Sequence, residues 1–461
     1  KIQNKQDSMK VAYENMESMG VTTGDFGDFI YDYGYNLLNS CEPNAILLTN
    51  GDMDTFPLLF LQEIHGVRTD IRVVNLSLLN TPWYIDYIKN QGANKLPISI
   101  SDSDIIDMEP IRSTGYALDS WTSETKETAE YLNTKGIGYN IDDHGILPWD
   151  KVDTNIQYNN NEIKFQLSPT IYNAYLRIQD VMILQLINDM PIDRPIYFAA
   201  TVPHNSMLGL ERYLEMQGMV YKFTGIENND TDSNPRISVD KITKHIIETK
   251  DYNKVIRSSD DYMRALSNND GIYRYKNLDN SDVYFNKEII RLLQNFRSPF
   301  LQSAQEMIYS NNLDRANNLL LSMEQSIAIE AIPILYPGNQ LVVARLFSMA
   351  RNLERYDYYM KNLISRDDLN IQDHYDISTV LLINSSSNID GEAYIKEMIK
   401  KYPNRWEFSR ILIVHYSQNG QYEQAIKMIE NWIALNESLS ESVNYNEAEE
   451  WLQILKEKEN E

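Results

Sequence analysis

The strongest constraint on the fold is the apolar run Ala45–Leu48, which ends at Asn50-Gly51 and is followed at once by Asp52 and Asp54. Four apolar residues without polar alternation are too few for a helix and suit a strand covered on both faces. Asn-Gly breaks the run. Pro57, a residue suited to the first turn of a helix, precedes Leu58, Leu59, Leu61, Gln62 and Ile64 at roughly helical spacing, and Gly66 closes the segment. A second run, Ile71–Leu76, follows. Strand, helix, strand implies parallel pairing with a right-handed crossover. Ligands of such sheets bind beyond the carboxyl ends of the strands, which is where Asn50, Asp52 and Asp54 fall after the first strand and Asn75 and Ser77 after the second.

The pattern around this unit extends it. Phe26, Phe29, Ile30, Tyr33, Leu37 and Leu38 predict a helical lead-in, and Thr81–Lys89 a second helix with Thr81 as cap and Pro82 at its first position. From about Gln91 to Gln166 the chain is polar, with short runs and turn residues, and reads as an insertion. Tyr175–Met190 predicts an amphipathic helix, Asp193–Thr201 a strand ending near His204, Leu208–Gln217 a helix and Met219–Ile226 a last strand. Residues 1–226 are therefore expected to form an α/β domain, an open, Rossmann-like, mostly parallel sheet with an insertion at about 91–166. Residues 227–285, rich in Asn, Asp and Ser, read as a partly helical connector. No segment matches G-x-G-x-x-G or the P-loop, so nucleotide binding by those routes is not expected.

Residues 286–461 change character to helix pairs. Asn-Leu-Asp-Arg-Ala316, Asn-Leu-Glu-Arg-Tyr356 and Gln-Tyr-Glu-Gln-Ala425 line up at separations of 40 and 69 residues, close to one and two tetratricopeptide periods of about 34. Three or four degenerate repeats are expected to stack as an all-α tetratricopeptide-like solenoid, whose concave face would bind protein partners or brace the α/β domain.

Composition limits the function. The 461 residues carry 66 acidic against 42 basic side chains, a formal charge of −24, which argues against nucleic acid as a partner. The single cysteine, Cys41, forms no internal disulfide and no zinc-ligand cluster. No stretch approaches the roughly 18–20 apolar residues of a transmembrane helix. The chain begins at Lys1 with neither a methionine nor a signal-like apolar region, so a piece of a longer protein is expected.

Four stretches carry a resemblance: Ser40–Pro57, Gly66–Ile85, Arg194–Val202 and Gly209–Lys222. They are similar to the soluble C-terminal region of a bacterial multi-pass membrane protein family. That family was once catalogued as a domain of unknown function and is now grouped with glycosyltransferase family 117, related to the protein O-mannosyltransferases of the GT-C type. The resemblance spans about residues 25–325, with a repeat-like tail. It implies a parent with N-terminal transmembrane helices, absent from this chain, and a location on the periplasmic, extracytoplasmic side of the inner membrane of a Gram-negative bacterium. The acidic catalytic residue of GT-C enzymes lies between early transmembrane helices, so no catalytic residue carries over and this chain alone is expected not to be catalytic. Gly-Asp-Met-Asp here replaces the family's common Gly-Asp-Asn-Asp, and the segment before Phe29 is unlike the family.

The candidate ligand-binding residues are Asn50, Asp52, Asp54, Asn75, Ser77, Trp83 and His204. Asp52 and Asp54 have two readings, a pair of ligands for a hard divalent cation (Mg, Mn or Ca) or caps for the following helix. Trp83 and Tyr84 suit either a sugar ring or the core. His204 suits a site or an ordinary loop, and Asp142, Asp143 and His144 read more simply as a turn than as a metal site. His374 and His415 are expected to be packing or surface residues. The favoured function is a non-catalytic extracytoplasmic domain of a membrane glycosyltransferase that binds acceptor protein or glycan and, through its repeats, protein partners. The alternatives are an independent metal-dependent hydrolase or transferase using Asp52, Asp54 and His204, and a repeat scaffold for envelope protein complexes.

Overall fold

The computed structural model describes residues 28–92, 94–106, 111–112, 152–158, 161–167, 170, 175–191, 193–228, 235–246, 271–383 and 387–459. The Asp142, Asp143 and His144 cluster lies outside them. Two compact units result, one of the described residues up to Glu306 with Ser322–Ile332, the other of Met307–Leu321 with Pro333–Glu461.

In the first unit, helix α1 (Asp28–Asn39) leads into strand β1 (Ile46–Thr49), helix α2 (Asp52–His65), strand β2 (Arg72–Asn75) and helix α3 (Pro82–Asn90). Strands β3 (Val152–Tyr158) and β4 (Asn161–Leu167) form a separate antiparallel ribbon. Helix α4 (Ile178–Asp189) precedes strands β5 (Ile196–Ala199), β6 (Leu214–Met216), β7 (Val220–Phe223) and β8 (Arg236–Ile237), and helix α5 (Val239–Ile246) follows. The main sheet has the order β8-β6-β7-β5-β1-β2. β1 lies parallel to both β2 and β5, and β8 parallel to β6, whereas β7 runs antiparallel to β5 and β6. The sheet is mixed, with a parallel Rossmann-like part at β5-β1-β2.

β1 and β5 are buried along their whole length, as expected of strands covered on both faces. Three elements differ from expectation. Leu208–Gln217 is not a helix: a single 3₁₀ turn at Glu211–Tyr213 runs into β6, whose antiparallel pairing with β7 satisfies the backbone. α4 is not amphipathic, because every residue from Ile178 to Ile187 is buried. Its buried Asp180 is neutralised by Arg177 at 2.9 Å. The insertion contains the β3–β4 ribbon, whose Ile163, Phe165 and Leu167 point inward and alternate with exposed neighbours.

The expected connector is also more than a linker. Arg274 and Asn36 exchange backbone and side-chain hydrogen bonds at 2.8 and 2.9 Å, and the Lys276 amide donates to Asp32 at 2.7 Å. Tyr273, Arg274 and Tyr275 are all buried, so this segment forms part of the core around α1. Cys41, at the end of α1, is buried as well, with its thiol against the Leu37 carbonyl at 3.6 Å.

Helices α6 (Lys287–Leu293) and α7 (Ser298–Tyr309) follow, and α8 (Leu313–Ser326) begins the helical series. It continues as α9 (Pro337–Met349), α10 (Leu353–Ile364), α11 (Ile371–Ile383), α12 (Gly391–Lys401), α13 (Trp406–Gln418), α14 (Tyr422–Leu435) and α15 (Val443–Glu459). The three aligned pentapeptides all sit at one kind of turn. Asn311, Arg351 and Gly420 have φ of 58°, 62° and 73°. The next amide, of Asn312, Asn352 or Gln421, then reaches back to the carbonyl of Met307, Phe347 or Tyr416 at 2.7–2.8 Å. This six-residue closure is the Schellman motif, and it ends one helix while starting the next. Ala316, Tyr356 and Ala425 are fully buried one turn later. His374 is buried against Tyr394, its Nδ1 2.7 Å from the hydroxyl.

Candidate functional site

β1 delivers Thr49 to the carboxyl edge, where Gly51 turns the chain with φ 122°. That angle lies in a region side chains rarely adopt. α2 then starts at Asp52, earlier than Pro57 suggests, and Pro57 lies inside it. Asp52 and Asp54 therefore occupy the first and third helical positions, roughly 200° apart around the axis. Asp52 is exposed and Asp54 is 2% exposed.

Asp54 is fully engaged. One oxygen accepts from the Tyr33 hydroxyl at 3.1 Å, and the other from the Asn50 amide at 3.2 Å and from the Thr201 hydroxyl. It ties α1, the β1–α2 turn and the loop after β5 together. Burial pushes its carboxyl above the usual aspartate range, against the opposing pull of Thr201, Asn50 and Tyr33. The Tyr33 hydroxyl is likewise held well above its ordinary value, first by burial and then by the neighbouring Asp54 charge. The helix gains no side-chain cap at Gly51, and Asp54 bonds the amide before the cap rather than the helix's own free amides.

A second network lies beside it. The Asn75 amide donates to Thr55 Oγ1 at 2.8 Å, Thr49 and Thr55 hydroxyls are 2.7 Å apart, and Thr55 donates to the Gly51 carbonyl at 2.6 Å. Asn75 Oδ1 also accepts from the Leu78 amide at 2.9 Å, and its own backbone amide donates to the Tyr84 hydroxyl at 3.0 Å. Asn75 is buried, so it holds the β2 edge in place.

The other candidates face outward. Ser77 and His204 are exposed, Trp83 is 61% exposed, and Phe56 in the second turn of α2 is 56% exposed. Trp83 packs edge-on against buried Tyr84 at 5.6 Å, which fixes one side of its ring. His204 begins a 3₁₀ turn anchored by Arg177, which donates to Ser206 at 2.9 Å. Among the described residues, Asp52, Ser77, Trp83 and His204 make no side-chain hydrogen bond to one another or to Asp54. No group of three or more His, Cys, Asp or Glu side chains among the described residues is arranged to hold a metal ion. Sequence reasoning missed Tyr33 and Thr201 as site residues. Each carries one signal: Tyr33 falls on the apolar stripe of α1, and Thr201 directly follows the apolar run of β5.

With this geometry in view, one family model matches, described as TMEM260-associated domain 2, over residues 30–109 and 104–242. Over that stretch the chain is similar to this family. The matched residues run from α1 into α5 and contain the whole mixed sheet. No curated protein and no solved structure matches the chain. Among the described residues no helix is long and apolar enough to cross a membrane.

Proposed function

We propose that this chain is the non-catalytic, extracytoplasmic part of a membrane-bound GT-C-type glycosyltransferase, located on the periplasmic side of the inner membrane. The carboxyl edge of β1 and β2 binds the acceptor polypeptide or its glycan, and the helical unit, a tetratricopeptide-like array, holds partner proteins. The observation that carries this reading is the division of labour at the edge. Asp54 and Asn75 are engaged in hydrogen bonds that tie neighbouring elements together, while Trp83 and Phe56 stand exposed in the early turns of the helices that follow the two strands. Exposed aromatic rings stack on the apolar faces of sugars, and the exposed Asp52 and Ser77, which follow the same two strands, offer oxygens to hydroxyl groups. The match to a family described as an associated domain supports treating residues 30–242 as one part of a larger protein.

The test is a glycan and glycopeptide microarray probed with the intact chain, followed by calorimetric titration of the best ligand. Binding is expected to vanish with Trp83→Ala and to persist with Asp54→Asn. Binding untouched by Trp83→Ala, or sugar turnover by the isolated chain that Asp54→Asn abolishes, would overturn it.

A further inference from the structure

The helical unit holds a groove of about 720 Å³ between α12 and α14, backed by α13. That volume lies in the range of sites that enclose a ligand or a few side chains. Its floor is apolar, formed by Ile399, Met428 and Trp432, and its rim carries Lys396, Lys400 and Lys427. Lys396 and Lys400 lie one turn apart on the same face of α12, and Lys427 projects from α14. Lys396 is neutralised by Glu392 at 2.5 Å, and Glu392 also accepts from the Tyr416 hydroxyl. Lys400 and Lys427 have no acidic partner among the described residues. The groove thus keeps two uncompensated cations over an apolar floor, in a chain whose formal charge is −24.

We infer that this groove is a docking site for an acidic peptide segment of a partner protein, with carboxylates on Lys400 and Lys427 and an aliphatic or aromatic side chain on the floor. The inference deepens the partner-binding reading of the helical unit and rests on it. Charge complementarity selects the partner, because two unpaired cations over an apolar floor favour an acidic segment in a chain of net charge −24. An apolar anchor supplies the contact that salt does not screen.

The experiment is fluorescence anisotropy of the intact chain with a short labelled peptide alternating Glu and Leu, alongside a Lys/Leu peptide of the same length. The acidic peptide is expected to bind, with affinity falling as salt rises. The double variant Lys400→Glu, Lys427→Glu is expected to bind about tenfold or more weakly. Both lysines are exposed, so the variant should keep its melting temperature, which is measured in parallel. Equal binding of both peptides, no effect of the double variant, or preferential binding of anionic vesicles would overturn the inference. So would self-association of the chain that the double variant abolishes, since a second copy would then be the occupant. Capture of a partner that survives the double variant would overturn the groove assignment yet leave the broader partner-binding reading intact.

Discussion

A single side chain, Asp54, shows how a residue picked out in sequence as a candidate ligand can be engaged by hydrogen bonds of the fold itself. Its three donors come from positions 33, 50 and 201, so no local pattern could reveal that its oxygens are already taken. The position at a strand tip was legible, but its burial depends on the whole unit having formed. Asp54→Ala removes the acceptor shared by the Tyr33 hydroxyl, the Asn50 amide and the Thr201 hydroxyl, and a loss of about 1–3 kcal/mol is expected in urea unfolding. The pH dependence has a definite sign. Because burial raises its folded pKa, the native state keeps this proton to higher pH than the unfolded chain does. Its contribution to stability is therefore greatest below the ordinary aspartate range and falls as pH climbs from that range through the folded-state titration. In Asp54→Asn this decline should disappear, so unfolding midpoints of variant and wild type, followed across that window, should shift in the variant's favour. Parallel curves would show that Asp54 does not titrate abnormally.

At the scale of elements, the three helix-starting pentapeptides were readable because each follows a turn that demands the same backbone. Gly420 occupies the left-handed position without strain, whereas Arg351 adopts φ 62° with an exposed side chain. Left-handed backbone costs a non-glycine residue roughly 1–2 kcal/mol. Arg351→Gly should accordingly stabilise the helical unit by about 0.5–1 kcal/mol, and Gly420→Ala should destabilise it by about 1 kcal/mol. Thermal unfolding of both variants checks the opposite signs. The β6–β7 hairpin has a stricter glycine. Gly218 turns at φ 106°, and a Cβ there would meet the Tyr273 hydroxyl at 1.9 Å. Gly218→Ala is expected to cost more than the roughly 1–3 kcal/mol of backbone strain alone, measured by urea midpoint. Within the sheet the sequence concealed β6 and the short β8, whereas β7 was expected as a strand. Leu208, Leu210, Tyr213 and Leu214 have helix-like spacing, and only pairing with β7 selects turn and strand instead. Conversely, the alternation in β4 is a local signal, masked by the polar residues around it.

For the molecule as a whole, the change from α/β to helical character was visible, since helical periodicity and alternating strand and helix signals occupy different parts of the chain. What lay beyond the sequence was a long-range contact within the first unit. Tyr273, Arg274 and Tyr275 sit in an otherwise polar tract, and their burial depends on α1, more than two hundred residues earlier. The net charge of −24 also acts on the whole molecule, through self-repulsion that salt screens over about 8–10 Å at moderate ionic strength. The melting temperature should rise when sodium chloride is raised from a few millimolar to physiological levels, as scanning calorimetry would record. A flat response would mean that paired charges already cancel the repulsion. Finally, the buried thiol at Cys41 makes this chain a ready spectroscopic subject. It is the sole cysteine, and burial holds it in its unreactive protonated form. A cysteine introduced at exposed Gln424 on the groove rim would thus be the one position a dye or spin label reaches, so occupancy of that groove could be followed without removing any native residue's chemistry elsewhere.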